Sequence, residues 1–322
     1  MKKFFRWLLI IAIIIVVLIG GFAAFIAIRG IPHYNAEHIS LQVQSTPERV
    51  ARGRVLVSLL CRNCHFDPNT NKFTGRKMDE VPQFGEVYSK NITHDPVHGI
   101  GKWTDGEIAY LLRTGVRPDG RYIPPYMAKL PHLSDEDLYS IISFLHSDNV
   151  WFSPDNTTHP DTRPSFLTKF LCNVGIAKPF DYPKTAISQP DTNNAVAWGQ
   201  YLVYNLECFS CHSADFKKNN YLEPERSTGY CGGGNVFKMP NGTTLSSLNI
   251  TSDEQTGIGK WDAATFLTAV KSGILPNNQP SLRQPMQPYL WLSDNEIKAI
   301  YAYLRSIPKI SNKVDRDIPE SK

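Results

Sequence analysis

The sequence predicts an all-α protein in which two tandem repeats of one helical domain follow a membrane-spanning helix. Three observations predict this architecture: an apolar run near the N-terminus, a set of short motifs that occurs twice in one order, and the absence of a strand-rich region. The expected segments are an anchor at 1–32, a first domain at 33–150, a linker at 151–188, a second domain at 189–310 and a tail at 311–322.

The apolar run at residues 7–28 is uncharged and 22 residues long. About 20 residues suffice to cross a bilayer as a helix. Lys2, Lys3 and Arg6 precede the run, so the positive-inside rule leaves the short N-terminus in the cytoplasm and puts the remaining chain outside. A cleaved signal peptide is the alternative, but signal peptides have shorter apolar cores and a small-residue cleavage site.

Each repeat contains a C-x-x-C-H pentapeptide, at 61–65 and at 208–212. The two thiols of such a motif form thioether bonds to a porphyrin, and the adjacent histidine then lies under the iron. The sequence therefore predicts two covalently bound haem c groups. The attachment residues are Cys61, Cys64, Cys208 and Cys211, and the proximal ligands are His65 and His212. A zinc site is the alternative, but a histidine directly after a cysteine is poorly placed to share one tetrahedral ion with it.

The landmarks downstream of each pentapeptide indicate a duplicated domain. Asn-Ile-Thr, five residues and then Gly-Ile-Gly-Lys-Trp occur at 91–103 and again at 249–261. A methionine in a proline-containing loop and a Leu-Ser-Asp helix start follow in both repeats. The second repeat is longer by twelve residues between cysteine and methionine, and eleven of these precede Asn-Ile-Thr. We expect one loop insertion there, including the Gly-rich stretch at 231–234.

The methionines Met127 and Met286 are the candidate sixth ligands of the two irons. A thioether ligand favours ferrous iron and so raises the reduction potential, although a lone methionine is more often a core residue. Other candidates for the sixth ligand are Met78, His132 and His146 for the first iron and Met239 for the second.

Other residues carry weaker predictions. Trp103 and Trp261 are candidate haem-binding residues that cover a haem edge or donate to a propionate, with packing at a helix start as the alternative. Helix signals include N-cap residues Ser134 and Ser293 and helix-ending Gly115 and Gly273. Cys172 and Cys231 lie outside the pentapeptides, and a disulfide or two free buried thiols are both compatible with the sequence.

Taken together, these motifs resemble the multi-haem c-type cytochrome subunits of membrane-bound alcohol and sugar-acid dehydrogenases, which are built from class I cytochrome c domains. The resemblance covers most of residues 50–148 and 195–308. It implies two tandem class I cytochrome c domains, with His65 and Met127 on one iron and His212 and Met286 on the other. It also implies that the helix before each haem motif crosses the terminal helix. The chain departs from those subunits in having two haem domains rather than three.

The functional interpretation is a dihaem electron carrier rather than an enzyme, anchored in the bacterial inner membrane with both haem domains in the periplasm. Expected partners are a quinol-side donor or a dehydrogenase, and a terminal oxidase or other acceptor. The net charge of +4, without a long basic run, does not favour nucleic acid. The alternatives are a dihaem peroxidase, an electron-transfer subunit of a membrane dehydrogenase complex, and a redox or gas sensor, for which no signalling domain is visible.

Overall fold

The computed structural model describes residues 2–239, 242–315 and 317–318, so parts of the expected tail, residue 316 and residues 319–322, lie outside the described residues. Within the described ranges most regular structure is helical. The helices are α1 (Lys2–Arg29), α2 (Pro47–Leu60), α3 (Arg62–His65), α4 (Asp105–Thr114), α5 (Asp135–Leu145), α6 (Phe166–Asn173), α7 (Ala195–Asn205), α8 (Cys208–His212), α9 (Ala263–Ser272) and α10 (Asp294–Ser306).

Among the described residues there are also four single-turn 3₁₀ helices, at Pro82–Phe84, Val150–Phe152, Phe216–Lys218 and Pro224–Arg226, and five short strands. β1 (Gly85–Glu86) pairs antiparallel with β2 (Arg163–Pro164), which ties the segment between the repeats to the first half. β3 (Val236–Lys238), β4 (Thr244–Ser246) and β5 (Asp317–Ile318) form an antiparallel sheet in that order. None of these strands exceeds three residues, in line with the helical prediction.

Helix α1 contains the predicted apolar run. An 18-residue stretch within its segment Lys3–Arg29 has a mean hydropathy of 3.2, and almost none of that stretch is buried by the rest of the protein. By length and composition, this helix is able to cross a membrane.

The two halves repeat one helix crossing. α2 packs against α5, and α7 packs against α10. Gly53 and Gly199 lie at the two crossings, and a Cβ atom on either would overlap a main-chain carbonyl oxygen, that of Ser140 or that of Ala299. The crossing of the helix before each haem motif with the terminal helix is therefore present in both halves, and it depends on glycine at the contact.

The helix caps agree with the sequence signals. Ser134 and Ser293 are N-caps whose side chains accept from the third amide of α5 and α10. Gly115 and Gly273 end α4 and α9 in the left-handed conformation. α4 and α9 begin two residues after the tryptophans, because Thr104 and Asp262 serve as their N-caps.

The segment between the repeats packs on the first half. Phe152 is fully buried in the core, and the α6 residues Thr168 and Cys172 are also buried. Cys172 lies in a small cluster with Tyr110, Val116 and Tyr122, whereas Cys231 lies in the main core. The two thiols are free, so the structure has the free buried thiols and not the disulfide.

One continuous apolar core contains residues of both halves. Arg52 of α2 reinforces this junction by binding Asp137 of α5 (Nε–Oδ1 2.9 Å) and Glu296 of α10 (Nη1–Oε1 2.6 Å). Burial opposes the charge of Arg52, but the bonds to both carboxylates raise its pKa above the ordinary value. Tyr201 of α7 donates to Asp137 at 2.8 Å. The halves are thus joined by charged contacts as well as by apolar packing.

Candidate haem-binding sites

Each haem motif forms a single helical turn, α3 or α8, directly after the helix that crosses the terminal helix. The cysteines of a C-x-x-C sequence are three residues apart, and one turn places them on the same side. All four thiols are free and half-buried. Burial raises the pKa of Cys61 and of Cys208 to about 12, so these groups are protonated thiols at neutral pH.

The motif histidines are oriented by the main chain. Nδ1 of His65 lies 2.7 Å from the carbonyl oxygen of Lys90, and Nδ1 of His212 lies 2.7 Å from that of Leu248. A carbonyl oxygen only accepts, so Nδ1 carries the proton and Nε2 keeps its lone pair. Burial lowers the pKa of both rings. Each histidine is therefore a neutral imidazole whose Nε2 is available to a metal.

The acceptors Lys90 and Leu248 occupy the position directly before Asn-Ile-Thr in each repeat. Asn91 accepts from the amide of Thr93 at 2.8 Å and donates to the carbonyl of Asp155 at 2.7 Å. Its counterpart Asn249 accepts from Thr251 at 2.9 Å and donates to the carbonyl of Ile310 at 2.6 Å. Each asparagine closes a turn and also fixes a downstream segment, so the repeated motif positions the carbonyl that orients the histidine.

A second repeated contact corrects the expected insertion. The amide of Gly75 donates to the carbonyl of His65 at 2.8 Å, and the amide of Gly233 donates to that of His212 at 2.7 Å. Both glycines lie sixteen residues before the asparagine of Asn-Ile-Thr. The stretch at 231–234 is therefore part of the repeat, and the eleven additional residues lie earlier, between 212 and 231.

Main-chain hydrogen bonds hold the two methionine loops at equivalent positions. The fourth residue before each methionine, Ile123 or Leu282, donates to the carbonyl of the glycine that ends α4 or α9, at 2.8 Å in both halves. The third residue after it, Leu130 or Tyr289, donates to a carbonyl of the same helix, at 2.8 or 2.9 Å. Met127 and Met286 are both half-buried. They therefore occupy equivalent places in equivalent loops.

The rival histidines have other partners. Nε2 of His132 lies 2.9 Å from the carbonyl of Tyr221, so this nitrogen is the protonated one. Nε2 of His146 lies 3.1 Å from a carboxylate oxygen of Asp105. Met78 is buried, and Met239 belongs to the stretch between β3 and β4.

The tryptophans lie beside the repeated loops. The guanidinium of Arg117 lies 5.7 Å from the centre of the Trp103 ring. The carbonyl of Trp261 accepts from the hydroxyl of Tyr301 at 2.6 Å. Each tryptophan directly precedes the N-cap of α4 or α9, and these contacts are compatible with either of the predicted roles.

Sequence reasoning missed an electrostatic influence between the halves, of a buried lysine and a partly buried glutamate on each other. Lys129 follows the first methionine loop, and Glu207 precedes the second haem motif with a positive φ of 52°. Burial lowers the pKa of Lys129 to about 7 and raises that of Glu207 to about 7, and each charge partly offsets the effect on the other. No sequence signal marks this pair, because its members are far apart along the chain.

The donor set fits haem attachment better than a zinc site. Among the described residues there is no group of three or more His, Cys, Asp and Glu side chains that could hold a metal ion. Paired protonated thiols beside an imidazole with a free Nε2 are instead the groups that a covalently attached haem requires. Fold and site together are typical of the c-type cytochrome class.

Comparison with known proteins agrees with that class. Residues 196–308 match the family model described as Cytochrome c. The chain is 28% identical over 276 residues to the fructose dehydrogenase cytochrome subunit of Gluconobacter japonicus, which covers 80% of this chain and 52% of that protein. It is 25% identical over 262 residues to the cytochrome c subunit of the quinone alcohol dehydrogenase of Gluconacetobacter polyoxogenes, covering 78% and 54%.

A further relative is a dihaem cytochrome c-type protein of Cereibacter sphaeroides, 26% identical over 263 residues, covering 78% of this chain and 82% of that protein. The chain spans about half the length of the two dehydrogenase subunits it matches. It therefore contains a cytochrome c domain at residues 196–308, which implies covalently bound haem c, and it is similar to proteins named as cytochrome subunits of dehydrogenases.

Proposed function

We propose that the chain is a membrane-anchored dihaem cytochrome c that serves as an electron-transfer subunit for a dehydrogenase. One observation carries the proposal: each half presents two free thiols, a histidine with its Nδ1 proton bound to a main-chain carbonyl, and a methionine in an equivalently bonded loop. This repetition supports two tandem class I cytochrome c domains, at 33–150 and 189–310, although the family match covers only the second.

The proposed roles follow from this geometry. Cys61 and Cys64 hold one haem through thioether bonds, and Cys208 and Cys211 hold the other. His65 with Met127 and His212 with Met286 are the axial ligands, and Trp103 and Trp261 cover a haem edge or donate to a propionate. The haem supplies the one-electron redox change; the chain binds and orients it and limits its contact with water.

The proposed location is the bacterial inner membrane, with α1 as a single span and the haem domains in the periplasm. The basic residues before the apolar run at 7–28 support this orientation. The relatives support a dehydrogenase as electron donor, with a quinol-side donor as the other possibility and a terminal oxidase or another redox protein as acceptor. A peroxidase requires an open iron position, and a methionine in both equivalent loops favours the electron carrier.

The proposal is tested by mass spectrometry and electron paramagnetic resonance (EPR) of the purified full-length protein. We expect a mass increase of two haems and two low-spin ferric signals. Replacing both thiols of one motif, Cys61→Ser with Cys64→Ser, should remove one haem only. The control Cys172→Ser should retain both. A single haem in the native protein would contradict the dihaem assignment, and a high-spin centre with peroxide turnover would favour the peroxidase.

A further inference from the structure

The helix α6 contacts the last turns of α1, although 136 residues separate the end of one from the start of the other. The rings of Phe170 and Phe22 meet edge to face, with centroids 6.5 Å apart. Asn173 donates to the carbonyl of Gly30 at 2.8 Å and accepts from the guanidinium of Arg29 at 3.0 Å. These contacts fix α6 beside the C-terminal end of the proposed membrane span.

The contact with Phe22 places α6 at a defined depth along α1. Phe22 precedes Arg29 by seven residues, which is about 10 Å along the axis at 1.5 Å per residue. Arg29 ends the span, and a terminal arginine places its charge at the membrane interface. Helices that lie in the interface bury their apolar face about 5–10 Å below the headgroups. The ring of Phe170 therefore lies at the depth that such helices occupy.

The two faces of α6 differ in the way an interfacial helix requires. Thr168 and Cys172 are buried against the first half, at 3% and 2% exposure. The opposite face and the residues just after the helix expose apolar side chains to the surroundings. These are Phe166, Leu167, Val174 and Ile176, with exposures of 50%, 54%, 40% and 71%.

Charged groups next to this apolar face suit a lipid surface. Lys169 donates to the carbonyl of Ala27 at 3.3 Å, so its amine lies at the last turn of α1 near Arg29. Lys178 follows the exposed stretch and is itself exposed. Cations at this level attract anionic headgroups. A lipid bilayer therefore accounts for both the apolar and the basic side chains around α6.

We infer that α6 and the residues up to Ile176 lie in the bilayer surface and form a second membrane contact beside α1. The inference rests on the proposed membrane span. The bilayer is the occupant of this face because the span itself brings α6 to lipid depth. α6 is also bonded to the first half, since Thr168 donates to the carbonyl of Phe84 at 3.1 Å. The first half is thus held in a fixed orientation to the membrane plane.

The experiment measures the depth of spin labels on the full-length protein in vesicles of equal parts phosphatidylethanolamine and phosphatidylglycerol. Nitroxides are attached at Leu167→Cys and Ile176→Cys, and EPR power saturation reports their collisions with O₂, which partitions into lipid, and with a water-soluble nickel chelate. Ile15→Cys, in the middle of α1, is the lipid reference. Val97→Cys is the aqueous reference, because Val97 is 75% exposed on a loop of the first half.

We expect the labels at 167 and 176 to lose nickel collisions and gain O₂ collisions relative to the label at 97. The same labelling of the native protein measures background from the buried Cys172 and Cys231. Nickel access at 167 and 176 equal to that at 97, with the label at 15 in lipid, overturns the inference and leaves the anchor intact. Nickel access at 15 as well overturns the proposed span itself.

Discussion

At the scale of single residues, the candidate sites are defined by pairs of contacts that recur in the two halves. The imidazoles of His65 and His212 each donate to the carbonyl that precedes Asn-Ile-Thr. Asn91 and Asn249 hold those carbonyls by closing the same turn. The orientation of the proposed iron ligands therefore depends on a turn that is distant from the haem motif in sequence.

The methionine assignment gives a prediction at this scale. Met127→Ala and Met286→Ala should each convert one low-spin ferric haem to high spin, because no side chain then supplies a strong sixth ligand. The same variants should lower the reduction potential of the affected haem. EPR and a redox titration followed by haem absorbance measure both effects.

The matched controls are Met78→Leu and Met239→Leu. These substitutions keep volume and apolar character, so they should leave both spectra unchanged. A high-spin signal from either control, with unchanged spectra in the alanine variants, would reassign the sixth ligand.

The sequence predicts the thiols, histidines and methionines because their chemistry is specific to their residue types. It does not predict the carbonyls of Lys90 and Leu248, because every residue has one and only the folded turn selects which carbonyl is used. The mutual influence of Lys129 and Glu207 is hidden for a similar reason, since only long-range folding brings these two residues near each other.

At the scale of elements, each half is organised by a close helix crossing. α2 and α5, and likewise α7 and α10, approach so closely that Gly53 and Gly199 contact the main chain of the opposite helix. The N-caps of α5 and α10 and the glycines that end α4 and α9 were predictable from local patterns. The contact of α6 with α1 was not predictable, because it depends on the path of the chain through the whole first half.

The crossing predicts a large effect from a small substitution. Gly53→Ala or Gly199→Ala should destabilise the protein by about 1–3 kcal/mol, because the added methyl group forces the two helices apart. The midpoint of thermal unfolding, followed by circular dichroism in detergent, should fall by several degrees. Gly20→Ala is the control, since nothing lies within 4 Å of a Cβ at that position of α1. An unchanged midpoint for both crossing variants would show that the helices separate freely.

At the scale of the whole molecule, the two halves share a core and an ionic junction. Arg52 connects Asp137 of the first half with Glu296 of the second. The carboxylate of Asp137 is only 1% exposed, so it depends on Arg52 and Tyr201 for compensation. In the proposed dihaem cytochrome, this junction would keep the two haems at a constant separation.

Arg52→Leu should reduce the free energy of unfolding by about 3 kcal/mol, because it leaves a buried carboxylate without its cation. Chemical denaturation of the full-length protein in detergent measures this loss. The control is Arg49→Leu on the same helix, whose partner Glu136 is about half exposed. This variant should cost less than about 1 kcal/mol. Equal losses for both would mean that the junction adds nothing beyond a surface ion pair.

The bond from each imidazole to a main-chain oxygen has an evolutionary consequence. An acceptor of this type survives every replacement of its own side chain, so point mutation cannot readily change which ring nitrogen is free to bind the proposed iron. A difference in reduction potential between the two proposed haems then has to arise from the methionine ligand or from the exposure of each haem to solvent. Two domains that arose by duplication can therefore acquire different reduction potentials while the bond between histidine and main-chain carbonyl stays the same.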